Sequence, residues 1–444
     1  MTRVLIASLN YAPEETGIAP YSTKLAEHLA ARGYRVTVLA GMPHYPAWRV
    51  EPSYAGLKQT TEVLNGVEVK RRAHYVPSKQ SALKRGLYEF TSLRMGLDAA
   101  RMERPDAILG VVPSLSGGIV ARAAAARFRV PYGLVFQDLV GKAAEQSGVA
   151  GGGRVTGLVR AAEGWAARGA SAVGVIAEGF RPYVESLGVD PARIRRVRNW
   201  THIDEATGDR ATMRAELEWP ENAIVCLHAG NMGYKQGLEN VVETARIAQA
   251  ANSPMLFVLM GDGNQRDTLA RLARRHALTN LRFLPLQDAG AFPSILAAAD
   301  ILLINQRGSV NDMSLPSKLT SYFAAGRPVV AAAAAYSETA REISASSGGL
   351  VVAPDDPAAL LDALARVAGD PGLRVHMAGS ARKWVATTLS ETAALHGYEQ
   401  LLASVLASGH HGRVHTPGRR IRAVRDAETA ASEAEQSDRD RWAA

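Results

Sequence analysis

Short apolar runs recur along the chain, and longer stretches of helix-like periodicity separate them. In the first 200 residues the runs are RVLIAS (3–8), YRVTVLAG (34–41), DAILGVV (106–112), YGLVFQ (132–137) and AVGVIA (172–177). Continuous apolar runs that alternate with helices are typical of parallel strands buried on both faces of a sheet. The pattern therefore predicts an α/β domain.

The segment between the first two runs has helical spacing. Tyr21, Leu25 and Leu29 recur every four residues, so their side chains share one helix face. Gly33 follows at a position where glycine commonly ends a helix. The first unit is therefore a strand, a loop, a helix and a second strand.

The same plan starts again in the second half of the chain. The runs there are AIVCLHAG (223–230), PMLFVLMGDG (254–263), NLRFLPL (280–286), DILLINQ (300–306) and RPVVAAA (327–333). A second sheet predicts a second domain, with the crossover near Trp200. We expect domains over residues 1–200 and 201–385, a helix over 386–407, and a charged, disordered tail over 408–444.

Composition excludes several classes of protein. No apolar run approaches the ~18 residues of a membrane-spanning helix, and Glu14 and Glu15 follow the first strand too soon for a secretory leader. Cys226 is the single cysteine, so no intrachain disulfide forms. The net charge of +8 is too modest an excess to indicate a polyanion. We expect a cytoplasmic protein that does not bind nucleic acid.

Several common nucleotide and metal motifs are absent from the sequence. There is no G-x-x-x-x-G-K-[ST], no H-E-x-x-H and no paired C-x-x-C. GDGNQR (261–266) has Arg266 where a dinucleotide-binding G-x-G-x-x-G needs its third glycine. A P-loop ATPase, a zinc protease and a dehydrogenase are therefore disfavoured.

Three loops after predicted strands carry residues suited to an anion. Gly17 precedes the first helix, whose free amides favour negative charge, although a tight turn explains the same glycine. The loop of residues 230–237 carries Lys235, a point charge suited to phosphate. Pro316, Ser317 and Lys318 open a helix just after another strand. Two lysine-bearing loops in one domain predict a clamp for a diphosphate.

Asp262 belongs to the same predicted crevice. It lies between Gly261 and Gly263 at the end of a predicted strand, where the carboxyl ends of parallel strands meet. An aspartate that only caps its own turn is the alternative explanation.

The chain resembles bacterial glycosyltransferase family 4, and within it the colanic-acid-type enzymes of exopolysaccharide assembly. The resemblance covers nearly the whole chain to about residue 407. The segments that carry it are NYAPEETGIAPYSTKLAEHLAARGYRVTVLAG, MPHYPAW, GVVPSL, QDL, AGNMGYKQGLENV, GDGNQRDTL, FLPLQ and LPSKLTSY.

The resemblance implies a GT-B fold, which consists of two facing Rossmann-like domains with a last helix that crosses back to the first. It also implies a nucleotide-sugar donor in the C-terminal domain, an acceptor towards the N-terminal one, retention at the anomeric carbon, and no metal or cofactor. By position, Lys235 matches the family's diphosphate lysine, and Gly230 and Gly261 match its donor loops.

Two departures concern the way in which the donor is held. Many family members carry an arginine where Asn231 stands and a pair of glutamates where Met313 and Ser321 stand. The colanic-acid-type subgroup has small or amide residues at these positions. Asp312 is the expected substitute for contacts with the ribose and sugar hydroxyls.

Two residues of the N-terminal half are the catalytic candidates. Asp138 stands where relatives carry a His-Asp or Gln-Asp pair near the reacting sugar, although an aspartate that ends a strand can equally cap the next helix. His44, in MPHYPAW, is the second candidate, with a hydrogen-bonded structural histidine as the alternative.

The expected function is transfer of a sugar from a nucleotide-sugar donor to a glycan or lipid-linked acceptor in the synthesis of cell-surface polysaccharide. A sugar epimerase of similar architecture and an inactive transferase-like subunit remain alternatives.

Residues 70–104 predict contact with an anionic membrane at its inner face. Basic side chains outnumber acidic ones in this stretch, and apolar residues recur in it at helical spacing. The basic residues are Lys70, Arg71, Arg72, Lys79, Lys84, Arg85, Arg94, Arg101 and Arg104, and the apolar ones are Leu83, Leu87, Phe90, Leu93 and Leu97. A helix packed on its own domain is the alternative.

Overall fold

The apolar runs form two separate sheets in the computed structural model, which describes residues 1–78, 81–142, 152–201, 206, 209–288, 290–308 and 317–411. Each of the ten runs found in the sequence contains one strand. The predicted α/β fold is therefore confirmed in both halves of the chain.

The first sheet is built, in the described ranges, from eight strands. They are β1 (Arg3–Ala7), β2 (Arg35–Gly41), β3 (Gln59–Leu64), β4 (Val67–Arg72), β5 (Ala107–Val112), β6 (Tyr132–Phe136), β7 (Ala172–Val175) and β8 (Ile194–Arg196). Their order is β3-β4-β2-β1-β5-β6-β7-β8, and neighbouring strands are parallel except β3 and β4.

The second sheet has six strands within the described part of the chain. They are β9 (Ile224–Ala229), β10 (Met255–Met260), β11 (Leu281–Leu284), β12 (Ile301–Asn305), β13 (Val329–Ala332) and β14 (Gly349–Val352). Their order is β11-β10-β9-β12-β13-β14, and every neighbouring pair is parallel.

Helices cover both faces of each sheet. They are α1 (Ala19–Ala31), α2 (Ala82–Ser92), α3 (Leu115–Phe128), α4 (Gly152–Arg168), α5 (Arg181–Ser186), α6 (Arg210–Glu216), α7 (Glu239–Ala250), α8 (Arg266–Arg275), α9 (Phe292–Ala298), α10 (Ser317–Ala324), α11 (Glu338–Ser346), α12 (Pro357–Gly369), α13 (Pro371–Trp384) and α14 (Glu391–His411). A 3₁₀ segment, Leu93–Arg101, continues α2, and a π-helical turn, Val385–Leu389, precedes α14. None of the helices in the described ranges combines the length and apolar character that a bilayer crossing requires.

The strand order of each sheet reverses beside one strand. In the first sheet β1 lies between β2 and β5, and in the second β9 lies between β10 and β12. Ligands of open parallel sheets bind beyond the carboxyl ends of the strands at such reversal points. Topology therefore places the ligand crevice at the loops that follow β1 and β9.

The last helix, α14, returns to the first domain. Its apolar side chains are buried in one cluster with β1, β2 and α1, and Tyr398 hydroxyl accepts a hydrogen bond of 2.9 Å from Gln137 Nε2. The predicted crossing helix is thus confirmed, and it extends to His411, four residues into the segment expected as tail. The rest of that segment lies outside the described residues.

A buried ionic network also joins the two domains. Glu338 of α11 accepts hydrogen bonds from the backbone amides of residues 178–179, at 3.2 and 3.1 Å, and from Arg196 of β8 at 2.7 Å. One turn later, Glu342 accepts from Arg196 and Arg198. Both carboxylates are almost fully buried, where an ion is tolerated only with close partners.

A chain truncated after Ser408 is expected to keep its fold, whereas one truncated after Ser390 is expected not to fold. The second truncation removes the five large buried side chains in the described part of α14, namely Leu395, Tyr398, Leu401, Leu402 and Val405. Burial of each contributes about 1.5–3 kcal/mol, so their sum is as large as the ~5–15 kcal/mol stability of a whole domain. Thermal unfolding of both chains measures the difference, and a Ser408 truncation that unfolds early would contradict it.

Candidate functional site

The loops that follow β9 and β10 are hydrogen-bonded to each other. Met232 N donates to Asp262 O over 2.7 Å, and Gln265 N donates to Met232 O over 2.9 Å. Gly261 has a φ of 131°, and a Cβ at this position would collide with the carbonyl oxygen of Gly230. Only glycine tolerates both conditions. The structure therefore brings together the two glycine loops that the sequence assigns to the donor.

Side chains from β12 and α10 fix the loop after β9. Asn305 is fully buried at the end of β12, and its Nδ2 donates to the carbonyls of Gln236 and Gly237, both over 2.8 Å. The hydroxyl of Tyr322 on α10 accepts a hydrogen bond of 2.7 Å from Ala229 N. Buried, fully paired polar groups of this kind make a loop rigid.

Lys235 lies exposed on this fixed loop. Arg307 N donates to Lys235 O over 3.1 Å, and the Arg307 guanidinium stacks on the ring of Tyr234 at 4.1 Å. No acidic side chain in the described ranges pairs with the Lys235 ammonium. Its charge is therefore available to an anionic ligand.

Lys318, the second residue of α10, faces the same loop. Its Nζ lies 3.5 Å from the position that a Cβ on Gly230 would take, and 3.3 Å from His228 Nε2. Burial lowers the pKa of this ammonium to about 8, so it remains largely charged at neutral pH. Lys318 thus lies beside the loop of residues 230–237 that carries Lys235, and we call this loop, the loop of residues 261–265 and the start of α10 the loop cluster.

The remaining donor candidates differ in what the structure shows of them. Asn231 is exposed in the first loop. Asp262 is exposed too, and its Oδ1 accepts from Gly263 N over 2.8 Å, as an aspartate that caps its own turn does. Ser321 is largely buried within α10. Asp312 and Pro316 lie outside the described residues, and of Ser317 only the backbone is described, as the first residue of α10.

On the N-terminal side, the loops after β1 and β2 are locked together by Glu14. Its buried carboxylate accepts hydrogen bonds from His44 N at 2.7 Å, from Tyr45 N at 2.9 Å and from Asn10 Nδ2 at 2.8 Å. Gly17 has a φ of 70°, and a Cβ there would lie 2.9 Å from the Tyr45 ring. The left-handed backbone conformation and the close Tyr45 ring therefore both favour glycine here, while the anion contact expected for it stays a prediction.

His44 is buried, and both of its ring nitrogens have partners. Nδ1 donates to Met42 O over 2.9 Å, and Nε2 accepts from the Tyr88 hydroxyl over 3.0 Å. Because a carbonyl can only accept, the proton lies on Nδ1. Burial lowers the pKa of the ring, which favours its neutral form. This geometry is that of the hydrogen-bonded structural histidine, so direct contact with a substrate stays a prediction.

Asp138 lies exposed just after β6. Its backbone N donates to Val112 O at the end of β5, and its Oδ1 accepts from Leu139 N over 2.8 Å. The segment that follows is held by Glu163, whose buried Oε2 accepts from Gly141 N over 3.1 Å. Burial raises the pKa of Glu163, and the negative charge of Asp138 raises it further. Asp138 is thus an accessible carboxylate in a hydrogen-bonded loop that follows β6.

The predicted basic stretch is divided between the surface and the interior. Arg71 is fully buried against Glu62, and Arg72 pairs with Asp98 through two hydrogen bonds of 2.8 and 2.7 Å. Neither adds charge to the surface, so counting them towards a membrane contact was wrong. Lys79 lies outside the described residues.

Four apolar side chains of α2 and its continuation face solvent, whereas Leu93 is partly buried against the core of its own domain. Leu83 is 86% exposed and Phe90 is 72% exposed, and Leu87 and Leu97 are exposed as well. Tyr88 instead points inwards, against His44. The expected alternative, a helix that packs this apolar face on its own domain, therefore does not hold for these four side chains.

Comparison with known proteins agrees with this geometry. Residues 16–200 match the family described as Glycosyl transferase 4-like domain, and residues 209–384 match Glycosyl transferases group 1. The Escherichia coli (strain K12) protein named "Putative colanic acid biosynthesis glycosyl transferase WcaI" is 34% identical over 347 residues, which cover 76% of this chain and 84% of the relative. The chain belongs to glycosyltransferase family 4. This family 4 enzyme is therefore a glycosyltransferase, and the matches favour transfer over the epimerase alternative.

A more distant relative and two solved structures are also similar to the family 4 enzyme. A D-inositol 3-phosphate glycosyltransferase of Salinispora arenicola is 29% identical over 218 residues, which cover 45% of this chain and 47% of the relative. Sucrose-phosphate synthase from Thermosynechococcus elongatus superposes with a TM-score of 0.70 at 18% identity, over 92% of this chain and 100% of that chain. Anabaena HepE in complex with UDP-glucose does so with a TM-score of 0.64 at 15% identity, over 91% and 100%. The expected GT-B fold is confirmed.

Sequence reasoning missed several residues of the loop cluster. His228 and Asn305 lie in apolar strand segments and gain polar partners only when distant segments meet. Glu14 follows the first strand as a charged residue, and its loop-locking hydrogen bonds form only when the loops after β1 and β2 meet. Arg307 follows a strand directly, which is where parallel sheets place binding residues.

Proposed function

We propose that the family 4 enzyme is a retaining, metal-independent glycosyltransferase that moves a sugar from a nucleotide-sugar donor to a glycan or lipid-linked acceptor. The observation that carries the proposal is the cluster of Lys318, Lys235 and the paired glycine loops at the strand-order reversal of the second sheet. Two cations beside open backbone suit a diphosphate. The Anabaena neighbour solved with UDP-glucose makes UDP a reasonable probe.

The proposed chemistry needs no enzyme nucleophile. The bond between the anomeric carbon and the diphosphate oxygen breaks, and Lys235, Lys318 and the amides at the start of α10 stabilise the charge on the leaving group. The acceptor oxygen bonds to the same face of the anomeric carbon. Its proton passes to an oxygen of the departing phosphate, while Asp138 orients the hydroxyl. The substrates themselves therefore provide the nucleophile and the proton acceptor, and the enzyme provides charge stabilisation and orientation.

The product of the reaction tests this mechanism. The enzyme is incubated with UDP-, GDP-, ADP- and dTDP-sugars and with glycan and polyprenyl-phosphate acceptors, in buffer containing EDTA, and the product linkage is assigned by NMR coupling constants. We expect an α-linked donor to give an α-linked product at an unchanged rate in EDTA. An inverted linkage would contradict retention, and loss of activity in EDTA would contradict metal independence.

We further propose that the enzyme works at the inner face of the plasma membrane, through the apolar residues Leu83, Leu87, Phe90 and Leu97. They are exposed next to Lys84 and the exposed Arg94, so apolar and basic groups share one surface. An interfacial helix combines these features. On its inner side α2 contacts His44 through Tyr88, which would place the membrane close to the acceptor side of the crevice.

Replacing Leu83 and Phe90 by serine is expected to reduce binding to vesicles that contain an anionic lipid by roughly tenfold or more. The loss of each side chain would reduce the free energy of membrane binding by about 1–2 kcal/mol, because each is partly buried in the interface. Co-sedimentation with phosphatidylglycerol vesicles measures the effect. Leu158→Ser is the matched control, because Leu158 is 71% exposed on α4 of the same domain. Equal partitioning of the double variant and the wild type would refute the contact.

A further inference from the structure

His228 is a polar residue inside an otherwise apolar strand. It is the fifth of the six residues of β9, and its side chain has no exposed surface. Nε2 lies 3.3 Å from Nζ of Lys318, ninety residues later in the chain, while no side chain among the described residues bonds to Nδ1. A buried imidazole in such a position calls for an explanation beyond packing.

We propose that His228 is a positioning residue for the donor site, where its Nε2 accepts a hydrogen bond from Lys318 and holds that ammonium above the Gly230 loop. The proposal rests on the proposed function, because it assumes that Lys318 contacts the diphosphate of a nucleotide-sugar donor. It adds a residue that takes no part in binding or chemistry itself.

The charge state of His228 suits this role. Burial and the neighbouring charge of Lys318 lower the pKa of the ring well below its usual value, so the imidazole is neutral at neutral pH. An ammonium only donates, so Nε2 must be the unprotonated nitrogen that accepts. His228 therefore offers a lone pair to Lys318 and adds no second positive charge.

The surroundings of Lys318 explain why a neutral partner is useful. No acidic side chain among the described residues pairs with this ammonium, and burial is the cause that lowers its pKa. A carboxylate in place of His228 would neutralise Lys318 and compete with the diphosphate for it. A neutral acceptor takes one of three N–H groups and leaves two, with the full positive charge, for the ligand.

His228 also fixes the position of the Lys318 side chain. A lysine side chain has four flexible methylene groups, and ordering it on binding costs up to about 2 kcal/mol. His228 is immobile because it lies within β9, between β10 and β12. A hydrogen bond to this fixed point orders Lys318 before the donor arrives, which strengthens binding.

His228→Leu is expected to weaken the binding of UDP roughly tenfold and to leave the affinity for uridine unchanged, as calorimetry would measure. The estimate corresponds to a modest hydrogen bond to a charged group. Leucine fills a similar space and suits the apolar surroundings of β9, so the melting temperature should not fall. A purely structural histidine would lower the melting temperature and the affinity for both ligands alike.

Two further variants separate positioning from packing. His228→Gln keeps an oxygen that can accept from Lys318, and it is expected to retain UDP affinity within about twofold of the wild type. In a Lys318→Met background, His228→Leu should have no further effect on UDP affinity, because the interaction is already absent. An equal loss in both backgrounds would overturn the proposal. If His228→Leu does not fold, His228→Asn replaces it, since its shorter amide cannot reach Lys318.

The outcomes distinguish this inference from the proposed function. If Lys318→Met weakens UDP binding and His228→Leu does not, the donor site stands and the role of His228 is overturned. GDP, ADP or dTDP replaces UDP if the wild type binds one of them instead. If the wild type binds none of the four, the proposed donor site fails, and the inference fails with it.

Discussion

Asp138→Asn is expected to leave donor binding nearly unchanged and to lower the rate of glycosyl transfer by about 100-fold or more. A loss of this size is expected when a positioned charged group that acts mainly in the transition state is removed. Asp138 lies exposed at the end of β6 on the first domain, while the lysine cluster lies on the second. A group on the first domain is therefore suited to the acceptor hydroxyl.

The asparagine variant isolates the charge of this side chain. The Asp138 Oδ1 accepts from Leu139 N over 2.8 Å, and an amide oxygen can accept the same hydrogen bond. The local turn is thus preserved, and only the negative charge is removed. Asp190→Asn is the matched control, because Asp190 is also exposed in the first domain and also accepts from a nearby backbone amide, Ala192 N.

Turnover and donor affinity must be measured together for this variant. Unchanged turnover with weaker donor binding would make Asp138 a donor-site or structural residue. The acceptor-orienting role would then have to move elsewhere, with His44 the next candidate, and both of its ring nitrogens would have to exchange partners to reach a substrate.

Lys235→Ala is expected to weaken UDP binding by about 1.5–3 kcal/mol, which is roughly 10- to 150-fold. The ammonium is exposed on a loop that Asn305 and Arg307 hold in place, so its removal changes charge and leaves the fold intact. Calorimetry gives the affinity, and the melting temperature should stay at the wild-type value.

Lys383→Ala provides the comparison for the loss of a single charge. Lys383 is also an exposed lysine of the second domain, on α13 and outside the loop cluster. It is expected to bind UDP as the wild type does. Equal UDP affinity for Lys235→Ala and the wild type would refute the diphosphate clamp.

Much of the fold was predictable because buried parallel strands leave a simple pattern. All ten predicted strands are present, and Gly33 follows the end of α1 with a positive φ, as expected. The β3–β4 hairpin was missed because its strands are half polar and alternate in exposure. The Asn65-Gly66 turn between them, with positive φ at both residues, is a hairpin signal that was available.

The candidate site was less predictable because its contacts join distant segments. The glycine loops and both lysines follow strand ends, so topology alone brings them to one edge. The hydrogen bond between His228 and Lys318 depends on three-dimensional packing that no local pattern encodes. For Arg71 the local pattern was misleading. Its basic stretch predicted an exposed charge, but the side chain is buried and paired with Glu62.

Hydrogen–deuterium exchange with UDP, GDP, ADP and dTDP in turn tests the placement of the donor most directly. A bound diphosphate should slow exchange in residues 229–237, 260–266 and 317–322, and should leave residues 10–17 and 138–142 unchanged, because the lysines and glycine loops lie on the second domain. Protection confined to the loops of the first domain, or no protection with any of the four nucleotides, would contradict a donor site on the second domain.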